Sequence, residues 1–275
     1  MTQQALPPLL PSLVACARDC MNGSARLQTR ALNAQPSHRR LEHLVTIVTG
    51  AGRGIGRATA ELFAREGASV VFCSRTRREL RTVSSAIKRQ GGTALASVVD
   101  LASSRQARAL VRQTVRRFGR LDILINNAGI LGPQTPIATY PLREWAQVLR
   151  INLTGTFYVS REAAKVMMGQ RSGCIITVSS SVGRAGRAQW GAYAVSKFGV
   201  EGLTQVLADE LRPYGVRAVS FNPGGTRTAM RAEAYPNEDP SRLRDPSIAA
   251  EALLRLATCS TLQHSGQAFD LHTLP

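Results

Sequence analysis

The sequence predicts a doubly wound α/β fold, a parallel sheet of about seven strands with helices on both faces. Three observations carry this. Seven short apolar runs alternate with six stretches of helical spacing between residues 44 and 271. The runs are nearly continuous in apolar residues, as strands buried on both faces must be. A glycine-rich segment joins the first run to the first helical stretch, and such regular alternation means right-handed βαβ units.

The elements follow in order. Residues 44–49 are a β-rich run, followed by the glycine loop and a helical stretch to Glu66. Residues 69–74 form the second run, and 77–90 the helix after it. Strand 94–100 precedes helix 103–118, and strand 121–126 precedes a long helical region over 142–168. Strand 174–179 leads to helix 193–212. Strand 216–221 leads to a loop-rich insertion over 224–245 and a helix over 247–258. Residues 267–271 form the last strand. The reading gives one domain, 44–275, preceded by a poorly structured extension over 1–43. That extension holds Pro7, Pro8, Pro11 and Pro36, five arginines, and only Asp19 and Glu42 as acids. It reads either as an Arg-rich, acid-poor targeting peptide or as a floppy extension without a packing period.

Composition bounds the function. A chain of 275 residues, 44% hydrophobic and 19% charged, suits one large α/β domain with a real core. No apolar run approaches the ~18 residues of a membrane-spanning helix. Cys16, Cys20, Cys73, Cys174 and Cys259 form no CxxC pair, which suits a reducing, cytoplasmic setting. His38, His43, His264 and His272 are dispersed, so no metal site is expected. The net charge is +17, yet lysines stand only at 88, 165 and 197, and the arginines are scattered. A nucleic-acid groove would cluster its cations among aromatics, and aromatics make up 5%. Excess positive charge can still steer anionic ligands.

The glycine loop is Thr49-Gly50-Ala51-Gly52-Arg53-Gly54-Ile55-Gly56. Glycines let backbone turn sharply and approach a pyrophosphate, while the helix N-terminus offers free N–H groups and a positive dipole end. A dinucleotide site is therefore expected at Gly50, Arg53, Gly54, Ile55 and Gly56. The second strand ends in Ser74-Arg75, where an NAD-preferring site usually carries a carboxylate for the ribose 2′-OH. Ser74 has no charge to repel a 2′-phosphate, and Arg75 and Arg53 can pair with one. These residues favour NADP(H) over NAD(H).

Tyr193 and Lys197 stand four residues apart on a helical stretch, hence on one face. A nearby ammonium favours the phenolate and pulls a tyrosine pKa down, toward the range useful for acid–base catalysis.

Further landmarks join these in a fixed order. Asn126-Asn127-Ala128-Gly129 follows the fourth strand, and Asn152 lies in the long helical region. Ser180 stands thirteen residues before Tyr193, and Asn222-Pro223-Gly224 ends the sixth strand. This set resembles the short-chain dehydrogenase/reductase family over about residues 44–272, and the stretches 179–190 and 222–230 with Glu238-Asp239-Pro240 are similar to YciK-type bacterial oxidoreductases. The resemblance implies a Rossmann-type fold and the remaining roles. Tyr193 would protonate a carbonyl oxygen as hydride arrives, and Ser180 would polarise that carbonyl. Lys197 would also hold the nicotinamide ribose, and Asn152 would hold a water relaying protons to Lys197. Asp100 and Leu101 would flank the adenine. Asn127, Ala128 and Gly129 would line the cleft, and Pro223, Thr226 and Thr228 would hold nicotinamide and phosphates. It also implies a homodimer or homotetramer through helices 142–168 and 193–212.

The function expected is NADP-dependent reduction of a ketone, aldehyde or 3-oxoacyl thioester. The alternative is an NAD(P)-binding regulator of the same fold, which would typically lose Tyr193 or Lys197; both are present. Arg184, Arg187, Arg227 and Arg231 flank the expected pocket segments. They either favour an anionic or carrier-borne substrate or pair with Glu233, Glu238 and Asp239.

Overall fold

A computed structural model describes residues 39–259 and 261–274. Residues 1–38 of the expected extension over 1–43, with Cys16, Cys20 and His38, lie outside the described residues. From Arg39 onward the chain alternates strand and helix. β1 (Val45–Thr49) leads to α1 (Gly54–Arg65), β2 (Ser69–Ser74) to α2 (Arg77–Arg89), and β3 (Thr93–Val98) to α3 (Ser104–Phe118). β4 (Ile123–Asn126) leads to α4 (Leu142–Leu149) and α5 (Gly155–Gln170). β5 (Gly173–Val178) leads to α6 (Gly191–Leu211), and β6 (Val216–Asn222) to α7 (Ala229–Ala234) and α8 (Pro246–Thr258). β7 (Ala268–Asp270) completes a seven-stranded sheet ordered β3-β2-β1-β4-β5-β6-β7. Every pairing is parallel. The order reverses between β1 and β4, and such a switch point opens a crevice beyond the strand ends.

The two faces follow from the period of two along each strand. Val48, Phe72, Ile125, Ile176 and Val219 meet Phe63 of α1, Leu80 and Ile87 of α2, and Leu253 of α8. Ile47, Val71, Leu124, Ile175 and Ala218 meet Leu110 of α3, Val159 and Met167 of α5, and Leu211 of α6. Local signals end the helices where expected. Ser103 caps α3 by accepting from the Gln106 N–H, and Gly119 closes it in the left-handed region at φ 79°.

Four expectations are corrected. The run at 94–100 is not buried on both faces. β3 is the sheet edge, its residues exposed or half-buried, because it has one strand neighbour. The long helix over 142–168 is two helices joined by a π-helical turn, Arg150–Thr154. The insertion at 224–245 contains a short helix, α7. Packing also starts before Leu44. Leu41 is fully buried, its N–H on the Glu66 carbonyl at 2.9 Å. Arg40 bridges Glu66 at the end of α1 (3.0 Å) and Glu251 of α8 (2.6 Å). One apolar residue makes no period, so this anchor leaves no signal in the sequence.

Leu41→Ala should leave a cavity in the first core and cost about 2–4 kcal/mol. Urea unfolding of the variant checks this; a loss under about 0.5 kcal/mol would mean that Leu41 is not a core residue.

Candidate active site

The carboxyl ends of the strands surround a cleft of about 370 Å³. It runs from the glycine loop and Ser74-Arg75 at one end, past Asp100, Leu101 and Asn127 to Gly129, to Ser180, Tyr193 and Lys197. Pro223, Thr226 and Thr228 close it on the far side. Every site residue expected from sequence lines this cleft except Gly56 and Asn152, which stand behind its walls.

The glycine loop is held by groups 76 to 79 residues away in sequence. The Asn127 and Ala128 N–H groups donate to Thr49 Oγ1 at 3.0 and 3.1 Å. Asn127 Nδ2 donates to the Thr49 and Gly50 carbonyls at 2.9 and 3.1 Å. Gly50 needs its glycine twice over: φ is +64°, and a Cβ would lie 2.7 Å from Ala128 Cα. Gly56 is spaced so that Asn127 Nδ2 fits against it. Thr49, read from sequence only as a strand end, is thus a site organiser.

The loop delivers the N-terminus of α1 into the cleft. That terminus has no side-chain cap and no acid in its first turn. Its leading N–H groups and the guanidiniums of Arg53 and Arg75 form a donor set that fits the phosphates of a dinucleotide. One feature of this end escaped the sequence. Glu79, in the first turn of α2, lies against Gly52 where a side chain would otherwise stand, and lines the cleft. The end of the cleft that sequence read as free of acid therefore holds a carboxylate. It was hidden because it comes from the helix, five residues past the strand end.

At the other end, Ser180 follows β5 in extended backbone and starts a 3₁₀ turn, Ser181–Gly183. Tyr193 and Lys197 project from one face of α6 and are buried, at 8% and 6% exposure. Lys197 Nζ donates to the Val178 carbonyl at 2.8 Å and lies 5.5 Å from the Tyr193 ring centre. Burial pushes the Lys197 ammonium down to about 8, against the Glu201 carboxylate, which raises it. Burial also pushes the Tyr193 phenol up to about 12, against the Ser180 hydroxyl, which lowers it. The i, i+4 spacing alone predicts that the lysine draws the phenol down. In this cleft burial of the phenol outweighs the stabilisation of its charged form.

Asn152 sits in the π-helical turn between α4 and α5 and is buried. Its Oδ1 accepts from the Ile130 N–H at 2.9 Å. Its Nδ2 donates to the Ile130 carbonyl at 2.9 Å and to Ser196 Oγ at 3.1 Å. With its amide engaged at both ends, its visible task is to hold the Ile130-Leu131 wall against α6.

Of the four arginines flanking the pocket, Arg231 lines the cleft and the other three do not. Arg184 turns away to Asp270 (2.8 Å), the Phe269 carbonyl (3.2 Å) and Glu201 (3.4 Å). Arg227 pairs with Asp245 at 2.7 Å. Arg231 grips Glu238, Nε to Oε2 at 2.6 Å, and lies 3.8 Å over the Tyr235 ring. Arg187 donates to Tyr235 Oη at 2.7 Å. The inner wall is aromatic and apolar instead: Trp190 packs at 5.7 Å from both Tyr193 and Tyr235, beside Leu131, Met230 and Ala234.

Comparison with known proteins gives the same picture. The family model described as short chain dehydrogenase matches residues 44–239. The oxidoreductase YciK of Escherichia coli (strain K12) is 38% identical over 242 residues, 87% of this chain and 96% of that protein. The crystal structure of a short chain dehydrogenase from Shigella flexneri 2a, complexed with NADP, aligns with a TM-score of 0.82. It shares 38% identity and covers 86% of this chain and 100% of that one. A short chain dehydrogenase from Escherichia coli CFT073, complexed with NADPH, aligns at 0.81 with 38% identity, covering 86% and 99%.

Asn152→Ala should strand the Ile130 N–H and carbonyl and cost about 1–3 kcal/mol. Thermal and urea unfolding measure it. Unchanged stability would show that the amide holds nothing.

Proposed function

The chain belongs to the short chain dehydrogenase family and is an NAD(P)-dependent oxidoreductase acting on CH–OH groups, and from that premise we propose that it reduces a ketone, aldehyde or 3-oxoacyl thioester to an alcohol. The observation that carries the reading is the meeting of Ser180, Tyr193 and Lys197 at one end of a cleft whose other end is a phosphate-fitting glycine loop. The regulator alternative has no support from a site that keeps all three.

When bound, a nicotinamide dinucleotide supplies the hydride. Tyr193 keeps its proton at neutral pH and gives it to the carbonyl oxygen, completing the alcohol. The Ser180 hydroxyl, beside the phenol, donates to the same oxygen and stabilises the charge developing there. Lys197 places a cation under the phenol and restores the balance once the proton has left. Asn127, Ala128 and Gly129 shape the cofactor wall, Asp100 and Leu101 the adenine end, and Pro223, Thr226 and Thr228 the nicotinamide end. Trp190, Tyr235, Met230 and Leu131 support an apolar carbonyl substrate. Paired as they are, Arg184, Arg227 and Arg231 withdraw the support for an anionic or carrier-borne one.

NADP(H) over NAD(H) is favoured by Arg53 and Arg75, with Glu79 opposing them. A homodimer or homotetramer is supported by Phe157 on α5 and by Val195, Phe198 and Val206 on α6, large apolar side chains left exposed. Cys73, Cys174 and Cys259 are free thiols, which fits a cytoplasmic enzyme.

The test is NADPH oxidation by pure protein across ketones, aldehydes and 3-oxoacyl thioesters. Tyr193→Phe should lower turnover at least about a hundredfold while the NADPH dissociation constant stays within about twofold. Turnover within a few-fold of wild type would sink the assignment. Glu79→Gln should raise the preference for NADPH over NADH about three- to tenfold, the effect of removing one like charge near a 2′-phosphate. Dissociation constants for both cofactors decide it; a fall in the preference would mean that Glu79 instead orients the arginines.

A further inference from the structure

One buried charge takes no part in the steps above. Glu201 stands on α6 four residues beyond Lys197 and eight beyond Tyr193 and is 7% exposed. Residues four apart on a helix have Cβ atoms about 5–6 Å apart, so Tyr193, Lys197 and Glu201 form a row down one face. A carboxylate is not buried without partners, and Glu201 has two. Ser220 Oγ of β6 donates to its Oε2, and Arg184 Nε to its Oε1 at 3.4 Å. Arg184 also binds Asp270 of β7 at 2.8 Å. Asp270 accepts from Asn222 Nδ2 at 2.8 Å, and Asn222 Oδ1 accepts from the Gly224 N–H at 3.1 Å.

From this arrangement we infer that Glu201 is a positioning residue that keeps the buried Lys197 ammonium charged, itself held in place by Ser220 and Arg184. The inference deepens the reading of Lys197 as part of the acid–base pair and rests on it. Lys197 has no carboxylate at ion-pair distance among the described residues; its hydrogen bond goes to a neutral carbonyl. The elements packed around it bring the following groups. α6 carries Tyr193 and Glu201, and the segment after β5 carries Ser180 and Arg184. β5 offers the Val178 carbonyl, β6 the Ser220 hydroxyl, and β7 Asp270. The π-helical turn brings the neutral Asn152 amide and an exposed Arg150, and α4 brings Glu144, whose charge acts on Tyr140. Of these, Glu201 is the acid on the lysine's own face. Because a carboxylate favours the ammonium, removing it moves the lysine's titration to lower pH. Arg184 partly cancels that carboxylate, so removing Arg184 moves the titration the other way.

The chain has lysines only at 88, 165 and 197, so protein labelled with ¹³Cε-lysine reports each one separately. Lys197→Arg assigns the signal, and the full chain is titrated without cofactor. Lys197 in wild type should titrate near 8. Glu201→Gln should lower that by about one pH unit or more, Glu201→Asp should restore most of it, and Arg184→Gln should raise it. Lys88 and Lys165 should stay put in every variant. A Lys197 titration unmoved in Glu201→Gln overturns the inference. Where that variant does not fold, Arg184→Gln carries the test with the opposite sign, and no upward shift overturns it. The pH profile of NADPH-dependent turnover separates the two claims. A basic limb that follows the lysine shift supports both, whereas a shifted lysine with an unmoved limb upholds Glu201 and overturns the catalytic role of Lys197.

Discussion

Much of this cleft depends on one buried ammonium donating to one backbone carbonyl. A cation that is 6% exposed needs a fixed partner, and Lys197 finds it in Val178, the last residue of β5. That bond ties the first turns of α6 to the end of β5. Tyr193 lies one turn earlier on the helix, and Ser180 lies two residues beyond Val178, so both are placed by it. The 3₁₀ turn after Ser180 can follow this path because Gly183 has no Cβ; one there would meet the Lys197 backbone at 3.0 Å. A side chain at 183 would push Ser180's segment off the helix that carries its partners.

The opposite end of the cleft is organised by the switch point. β1 and β4 are neighbours although β2 and β3 intervene in sequence, so Thr49 and Asn127 meet and lace the glycine loop to the strand beside it. The α1 terminus then enters the cleft without a side-chain cap. The two ends are built on different strands, β1 and β5, each flanking β4, and the spacing between parallel strands fixes their separation.

What the sequence revealed follows the range of the interaction. Tyr193 and Lys197 were legible because their relation is one helical turn. The strands were legible because burial on both faces leaves an apolar run, and the edge strand β3 was misjudged for the converse reason: Thr93, Ala96 and Val98 are exposed in a run that looks like the others. Glu79, Asn152's hold on Ile130 and Leu41's place in the core were not legible. Each depends on a contact set by the packing of separate elements. Arg184 is the sharpest case, since its partner Asp270 lies 86 residues away. Proximity in sequence to Ser180 suggested a pocket cation, whereas the fold turned it into a clasp on the last strand.

The chain carries +17, yet three of the four arginines flanking the entrance hold a carboxylate, and the fourth holds a phenol. Beyond about 8–10 Å, charges in physiological salt are largely screened, so the polarity a substrate meets is set by these short pairs and not by the total. What the arginines do at the entrance is mechanical. Arg231 of α7 stacks on Tyr235, and Arg187 of the segment after β5 binds the same tyrosine's hydroxyl. Trp190, which starts α6, packs against both Tyr235 and Tyr193. The segment over the pocket is therefore joined through Tyr235 to the stretch that carries Ser180 and to the helix that carries Tyr193. A movement that carries α7 and Tyr235 away from the cleft must break the Arg187–Tyr235 hydrogen bond and the Trp190–Tyr235 packing together, so access to the cleft and the seating of Tyr193 are coupled through one side chain.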